Sequence, residues 1–138
     1  SVMITALNEK NELYLLRTFA YPDNSWNWEL PAGGGESEDS LSASKRELEE
    51  ETGLVANTWE LLGHTRVCNG FMTEKMNTFL ARDLSFSGQK ETSDEQIDDA
   101  KFVSMDEVDA MIARGEINDG QCITAIYFVQ KWLSKNHE

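Results

Sequence analysis

The stretch GGGESEDSLSASKRELEEETGL, residues 33 to 54, decides how this chain is read. Three glycines open it, Ser37 and Asp39 follow as candidate helix caps, strong helix formers run on to Thr52, and Gly53 stands where a left-handed C-terminal cap belongs. The pattern predicts a helix from about Asp39 to Thr52. On it Glu47, Glu50 and Glu51 fall at i, i+3 and i+4, so their side chains leave from one side, while Leu41 and Leu48 occupy another. Three carboxylates this close repel one another, and a bound Mg²⁺ or Mn²⁺ reverses the sign of that interaction. The plainer reading is a solvated acidic face on which Arg46 offers an i, i+4 ion pair to Glu50. The helix pattern alone does not choose between them. The glycines ahead of it let bare backbone approach both a metal and a phosphate.

Working outward, Val2 to Leu7 and Glu12 to Phe19 are rich in strand formers. The polar Asn8-Glu9-Lys10-Asn11 between them predicts a hairpin pairing the two strands. Tyr21 to Asn27 reads as a loop, and Trp28 to Pro31 as a short strand leading into the glycines. Further strands are expected at Thr58 to Val67, Lys75 to Asp83 and Ala100 to Val103, with loops at Asn69-Gly70 and from Ser87 to Asp99. Ser104-Met105-Asp106-Glu107 spells a capping box for a short helix ending near Gly115. A last amphipathic helix is expected over Gln121 to Lys135, with Ile123, Ile126, Tyr127 and Leu133 among its apolar positions.

The 138 residues, 40% of them hydrophobic, suffice for one ordinary core, and one domain over residues 1 to 138 is expected. The first residue is Ser1 rather than Met, and a strand begins almost at once, which leaves room for a segment upstream. No apolar run has the length of a membrane-spanning helix, so a soluble, cytoplasmic protein is expected, with no membrane partner. Cys68 and Cys122 fit neither a metal knuckle nor a disulfide framework and read as free thiols. With 25 acidic residues against 12 basic ones the net charge is −13, which repels a nucleic-acid backbone. An acidic chain can still bind a polyphosphate when divalent cations stand between its carboxylates and the substrate oxygens.

Glu38, seven residues, and then Arg46-Glu47-Leu48-Glu49-Glu50-Glu51-Thr52-Gly53-Leu54 resembles the box of the Nudix hydrolase family. That box reads Gly, five residues, Glu, seven residues, Arg-Glu, aliphatic, any, Glu-Glu, any, Gly, aliphatic. Six positions before Glu38 this chain has Ala32, and Gly33 follows, so the glycine loop is one residue short of the pattern. The resemblance implies an α/β (α+β) fold: an α/β/α sandwich with a mixed sheet and the catalytic helix after a Gly-rich loop. It further implies that Glu47, Glu50 and Glu51 bind Mg²⁺ or Mn²⁺, that a backbone carbonyl near Ala32 or Gly33 completes the set, and that Arg46 orients the glutamates. In such a site the metal polarises a phosphorus and activates the attacking water. A carboxylate must accept the proton, and the acidic loop Glu91 to Asp99 offers Glu95 first and Glu91 second. The plainer reading of that loop is a solvated acidic turn.

Three softer stretches extend the likeness toward the ADP-ribose pyrophosphatase branch: Trp28-Glu29-Leu30-Pro31-Ala32-Gly33, Gly70 with Glu74 ahead of Phe79-Leu80-Ala81, and Gly115-Glu116-Ile117-Asn118-Asp119. Thr18-Phe19-Ala20 stands where that branch often has Gln-any-Arg, and Cys68-Asn69-Gly70 where it has Ser-Pro-Gly. Substrate contacts are expected from Trp28, Gly33, Gly34, Arg17 and Glu74. Trp26 and Trp28 suit either adenine stacking or core packing, and Arg17 either phosphate contact or a strand-edge charge. The leading expectation is a metal-dependent pyrophosphohydrolase acting on a nucleoside diphosphate linked to another group, ADP-ribose or a nucleotide sugar, in a homodimer. A nucleoside triphosphate or dinucleoside polyphosphate hydrolase is the second, and a catalytically silent nucleotide-sensing domain the third.

Overall fold

In the computed structural model, residues 1–34, 38–88 and 96–136 are described. Strand β1, Val2–Ala6, is buried at all five positions. It carries no charged residue and no polar alternation, the pattern of a strand covered on both faces. It pairs in parallel with β6, Lys75–Phe86, and antiparallel with the two-residue β4, Ala32–Gly33. Outside β6 lies the long antiparallel strand β5, Leu54–Arg66, giving a mixed sheet in the order β4-β1-β6-β5. A second, antiparallel sheet has the order β3-β2-β7, built from Ser25–Glu29, Leu13–Ala20 and Ile97–Val103.

The expected β1–β2 hairpin is therefore corrected. The two strands enter different sheets and share only the bridge Leu7–Leu13. The turn itself forms: Asn8 Oδ1 accepts from the Lys10 and Glu12 amides at 3.0 and 2.9 Å, and Asn11 takes φ 60°. It reverses the chain but splays it, because both strands are apolar on both faces and each serves two cores. Several boundaries also move, and β6 runs on past Asp83 to Phe86. Strand β3 starts at Ser25, inside the expected loop, after a 3-10 turn at Tyr21–Asp23; β5 begins directly after the helix; and β7 begins at Ile97.

Alternation along β1 assigns its two faces. Val2, Ile4 and Ala6 join Tyr14, Leu16, Phe79 and Ala81 beneath helix α1, Ser40–Thr52, which contributes Ala43 and Leu48. Met3 and Leu7 join Leu13, Leu15 and Leu80 beneath α2, Met105–Arg114, and α3, Gly120–Asn136, through Val108, Met111, Cys122, Ala125, Ile126 and Val129. Helices thus cover both faces of a mixed sheet, the α/β/α arrangement expected. Ser104 caps α2 by accepting from the Glu107 amide at 3.2 Å, and Gly115 closes it at φ 82°. Among the described residues no helix is long and apolar enough to cross a membrane, and Cys68 and Cys122 are free thiols.

Candidate active site

Helix α1 is fixed at both ends before its carboxylates come into play. Asp39 is the cap, accepting from the Ser42 amide at 2.8 Å; Ser37 lies outside the described residues. At the other end Gly53 takes φ 75° and donates to the Glu49 carbonyl at 2.8 Å. Leu48, fully buried, seats the helix on β1, and Thr52 Oγ1 donates to the Leu48 carbonyl at 2.6 Å. With Leu48 turned inward, Glu47 lies against Gly33 and Glu51 against Ala32, while Glu50 is linked to Gly34 through Arg46.

Arg46 is the hub of that face. Its Nε donates to Glu38 at 2.6 Å, its Nη1 to Glu50 at 3.1 Å and its Nη2 to the Gly34 carbonyl at 3.3 Å, while Glu47 stands 3.4 Å from Nη2. Glu51 is held separately, accepting from the Ala32 amide at 3.2 Å. Gly33 lies so close to Glu47 that a Cβ there would collide with its carboxylate. Burial pushes the Glu47 carboxyl pKa up; Arg46 draws it back, Glu50 raises it again by repulsion, and hydrogen bonds from Arg46 and the Gly34 amide oppose that. The structure therefore brings together Ala32, Gly33, Gly34, Glu38, Arg46, Glu47, Glu50 and Glu51.

Glu74 stands nearby: it accepts from the Ser1 hydroxyl, and Ser1 lies against Gly34. Arg17 and Trp28 go elsewhere. They are opposite each other in the β2–β3 register, on the face that continues from Leu15 rather than the one carrying Leu16. Arg17 pairs with Asp98 at 2.6 Å and lies 5.0 Å above the Trp26 ring. Trp28 packs against the core beneath α2 and α3, with the Lys101 ammonium 4.7 Å from its ring. Glu91 and Glu95 lie outside the described residues.

A cavity of about 190 Å³ opens beside Glu51, and its lining includes Leu16, Thr18, Glu29, Leu30 and Gln96. Sequence reading missed Glu29 as part of it. The available signal was a lone carboxylate in the otherwise apolar run Trp28 to Ala32. Burial raises the Glu29 carboxyl pKa, Asp119 adds to that, and the Thr18 hydroxyl works against it.

A hard divalent cation fits these residues in kind. The donors are carboxylate and carbonyl oxygens, Glu50 repels the partly buried Glu47, and the missing Cβ of Gly33 leaves the approach to Glu47 clear. Their positions are those of side chains engaged with Arg46 and the Ala32 amide. Among the described residues no three His, Cys, Asp or Glu side chains converge closely enough to hold a metal as they stand. Coordination therefore asks Glu50 to turn from the guanidinium and Glu51 from the Ala32 amide toward Glu47.

A family model described as NUDIX domain matches residues 1–125. The chain is 30% identical over 134 residues to an ADP-ribose pyrophosphatase of Mycobacterium tuberculosis, covering 94% of this chain and 64% of that protein. It is 27% identical over 132 residues to an ADP-ribose pyrophosphatase of Bacillus subtilis, covering 94% and 71%. A methanol dehydrogenase activator of Bacillus methanolicus is 27% identical over 144 residues, covering 100% and 76%. The chain thus spans a little under two thirds of the first relative's length. Among solved structures, a crystal structure of an ADP compounds hydrolase matches with TM-score 0.88 at 23% identity, over 99% of this chain and 73% of that one. A NUDIX hydrolase from Nitrosomonas europaea matches with TM-score 0.72 at 24% identity, over 94% and 88%. These two likenesses bear on the fold.

Proposed function

The chain belongs to the Nudix family, and from that premise we propose that it is a divalent-metal-dependent pyrophosphohydrolase. Its substrate is a nucleoside diphosphate linked to a second group, ADP-ribose or a nucleotide sugar first. The observation that carries this reading is the gathering of Glu47, Glu50 and Glu51 around the Ala32–Gly34 backbone, next to a cavity that Glu51 helps to line. The two relatives named ADP-ribose pyrophosphatase support the choice of substrate.

Glu47, Glu50, Glu51 and the Ala32 carbonyl would hold Mg²⁺ or Mn²⁺. When bound, such an ion supplies positive charge that neutralises the diphosphate and draws electron density from the phosphorus under attack. The chain's own groups prepare the site. Arg46 keeps Glu47 and Glu50 within reach of each other despite their like charge, and anchors both to Gly34 through its carbonyl. The Ala32 amide fixes Glu51, and Gly33 makes room for Glu47. Gly33 and Gly34 offer bare backbone to phosphate oxygens, with Glu74 at the rim. Proton acceptance is assigned to Glu95, a carboxylate of the acidic stretch ahead of β7 that lies outside the described residues. Arg17 and Trp28, on the other face of the sheet, serve packing and charge pairing. The unit that acts is a single domain, and a homodimer is its assembly.

The test is incubation with Mg²⁺ or Mn²⁺ and a panel of ADP-ribose, nucleotide sugars, dinucleoside polyphosphates and nucleoside triphosphates, with products identified by mass. AMP and ribose 5-phosphate from ADP-ribose, formed only with metal, are the expected products. Glu51→Gln should lower turnover about 10²- to 10³-fold while the protein stays folded. Near-normal turnover in that variant refutes the metal assignment. A second reading, a nucleotide-sensing domain acting on a partner protein, draws on the relative named as an activator. Ligand binding without turnover would favour it.

A further inference from the structure

The cavity beside Glu51 holds a second carboxylate, Glu29, that no step above uses. Its place is rigid. On one side of it the Trp28 amide donates to the Glu116 carbonyl at 2.9 Å, and on the other the Leu30 amide donates to Cys122 Sγ at 3.4 Å. In the sheet Glu29 sits opposite Leu16, so it shares a face with Leu16 and Thr18. Asp119 adds negative charge behind it; its own carboxylate accepts from the Cys122 amide at 2.9 Å, at the start of α3. Among the described residues lining this cavity there is no lysine, arginine or histidine; besides the two carboxylates they are Leu16, Phe19, Leu30, Ala32 and Ile97 with Thr18 and Gln96.

Two kinds of group compete for such a space once a diphosphate lies at the Glu47–Glu51 face. A sugar or other polyol presents hydroxyls, which donate to a carboxylate and stack their carbon skeleton on apolar walls. A third phosphate presents only acceptors and negative charge, and it meets the Glu29 carboxylate with no lysine, arginine or histidine among the described lining residues to offset it. We propose that Glu29, backed by Asp119, is a specificity-determining residue: it accepts hydrogen bonds from hydroxyls of the polyol esterified to the diphosphate and repels a further phosphate in the same place. The proposal rests on the hydrolase reading for the location of the diphosphate. It goes beyond it in assigning discrimination between sugar diphosphates and triphosphates to one side chain.

The experiment compares the wild-type chain with Glu29→Gln, and with Glu29→Asp as a second variant, each checked for folding by thermal melting. Binding of ADP-ribose and of ATP is measured by calorimetry with Ca²⁺, and kcat and KM for both with Mg²⁺. Wild type should favour ADP-ribose about tenfold or more. Glu29→Gln should narrow that ratio about tenfold, raise KM for ADP-ribose several-fold and leave kcat within about twofold, the signature of lost ground-state binding. Glu29→Asp, which keeps the charge, should retain most of the discrimination against ATP. An unchanged ratio in folded Glu29→Gln, or a fall in kcat at constant KM, overturns the proposal. Discriminating binding without turnover keeps it and removes the hydrolase reading; binding of neither ligand by wild type removes both.

Discussion

Replacing Gly33 with Ala separates the site from the fold more cleanly than any other single change. The added methyl would overlap the Glu47 carboxylate and its Cγ, so the Glu47 side chain must swing away. Little stability is lost in doing so. Gly33 pairs with Val2 in a strand, where Ala is favoured over Gly by roughly 0.5–1 kcal/mol. The departing carboxylate gives up a 3.4 Å contact with a largely solvated guanidinium but regains hydration that burial had taken from it. The two effects nearly offset, and the net change should stay within about 1 kcal/mol, or roughly 2–5 °C in Tm for a chain of this length. Activity should respond very differently. A cation ligand moved out of place forfeits on the order of 3–4 kcal/mol of transition-state stabilisation, about 10²- to 10³-fold in kcat/KM. The assay pairs AMP release from ADP-ribose, followed by mass at saturating Mg²⁺, with a melting curve on the same sample. A folded Gly33→Ala protein retaining activity within threefold of wild type would refute the argument, because it would mean that Glu47 is not needed where it stands.

Two further predictions concern Trp28 and Glu47. Trp28→Ala should act through stability, lowering it by about 2–3 kcal/mol in chemical denaturation while KM stays within twofold, since the indole packs on the core beneath α2 and α3; a raised KM with an unchanged midpoint would instead place it on the substrate. Glu47→Gln should stabilise the metal-free protein. A carboxyl whose pKa is raised by folding contributes most below its unfolded value, and that contribution is lost as pH rises through the raised folded value. The advantage of the variant in Tm should therefore grow between about pH 4 and neutrality, and a constant difference across that range would contradict it.

The best-read element was α1, because its signals are local: an Asp cap, a run of helix formers, a glycine at C′ and charges that set its faces. The paired strands at the start were misread for an equally physical reason. Asn8 to Asn11 carries a turn signal that fixes chain reversal, whereas pairing depends on which sheets the strands complete, and only the unbroken burial of Val2–Ala6 pointed to two covered faces. Asp98 and Asp99 made the start of β7 look like loop, yet Asp98 pairs with Arg17 across the sheet. In the site, spacing along one helix put Glu47, Glu50 and Glu51 on one side of it without saying whether that side meets a metal or solvent. Glu29 was not legible, since its importance comes from Thr18 and Asp119, eleven residues before it and ninety after. Arg17 and Trp28 were chosen by residue type, and strand alternation turned them to the other face.

The parallel pairing of β1 with β6 also governs how the chain acquires its structure. Thr5 Oγ1 donates to the Phe79 carbonyl across 74 residues of sequence, and β1 has no neighbour closer along the chain than the two residues of β4. During synthesis the central strand has only the two residues of β4 to pair with until β6, more than 70 residues further on, has emerged. Closing so large a loop is entropically costly before any contact repays it, which favours slow folding. Throughout that delay Val-Met-Ile-Thr-Ala-Leu, uncharged and free of proline, is an exposed adhesive segment. The acidic charge of the remaining chain, repelling other copies of itself, is then what protects the nascent protein from self-association.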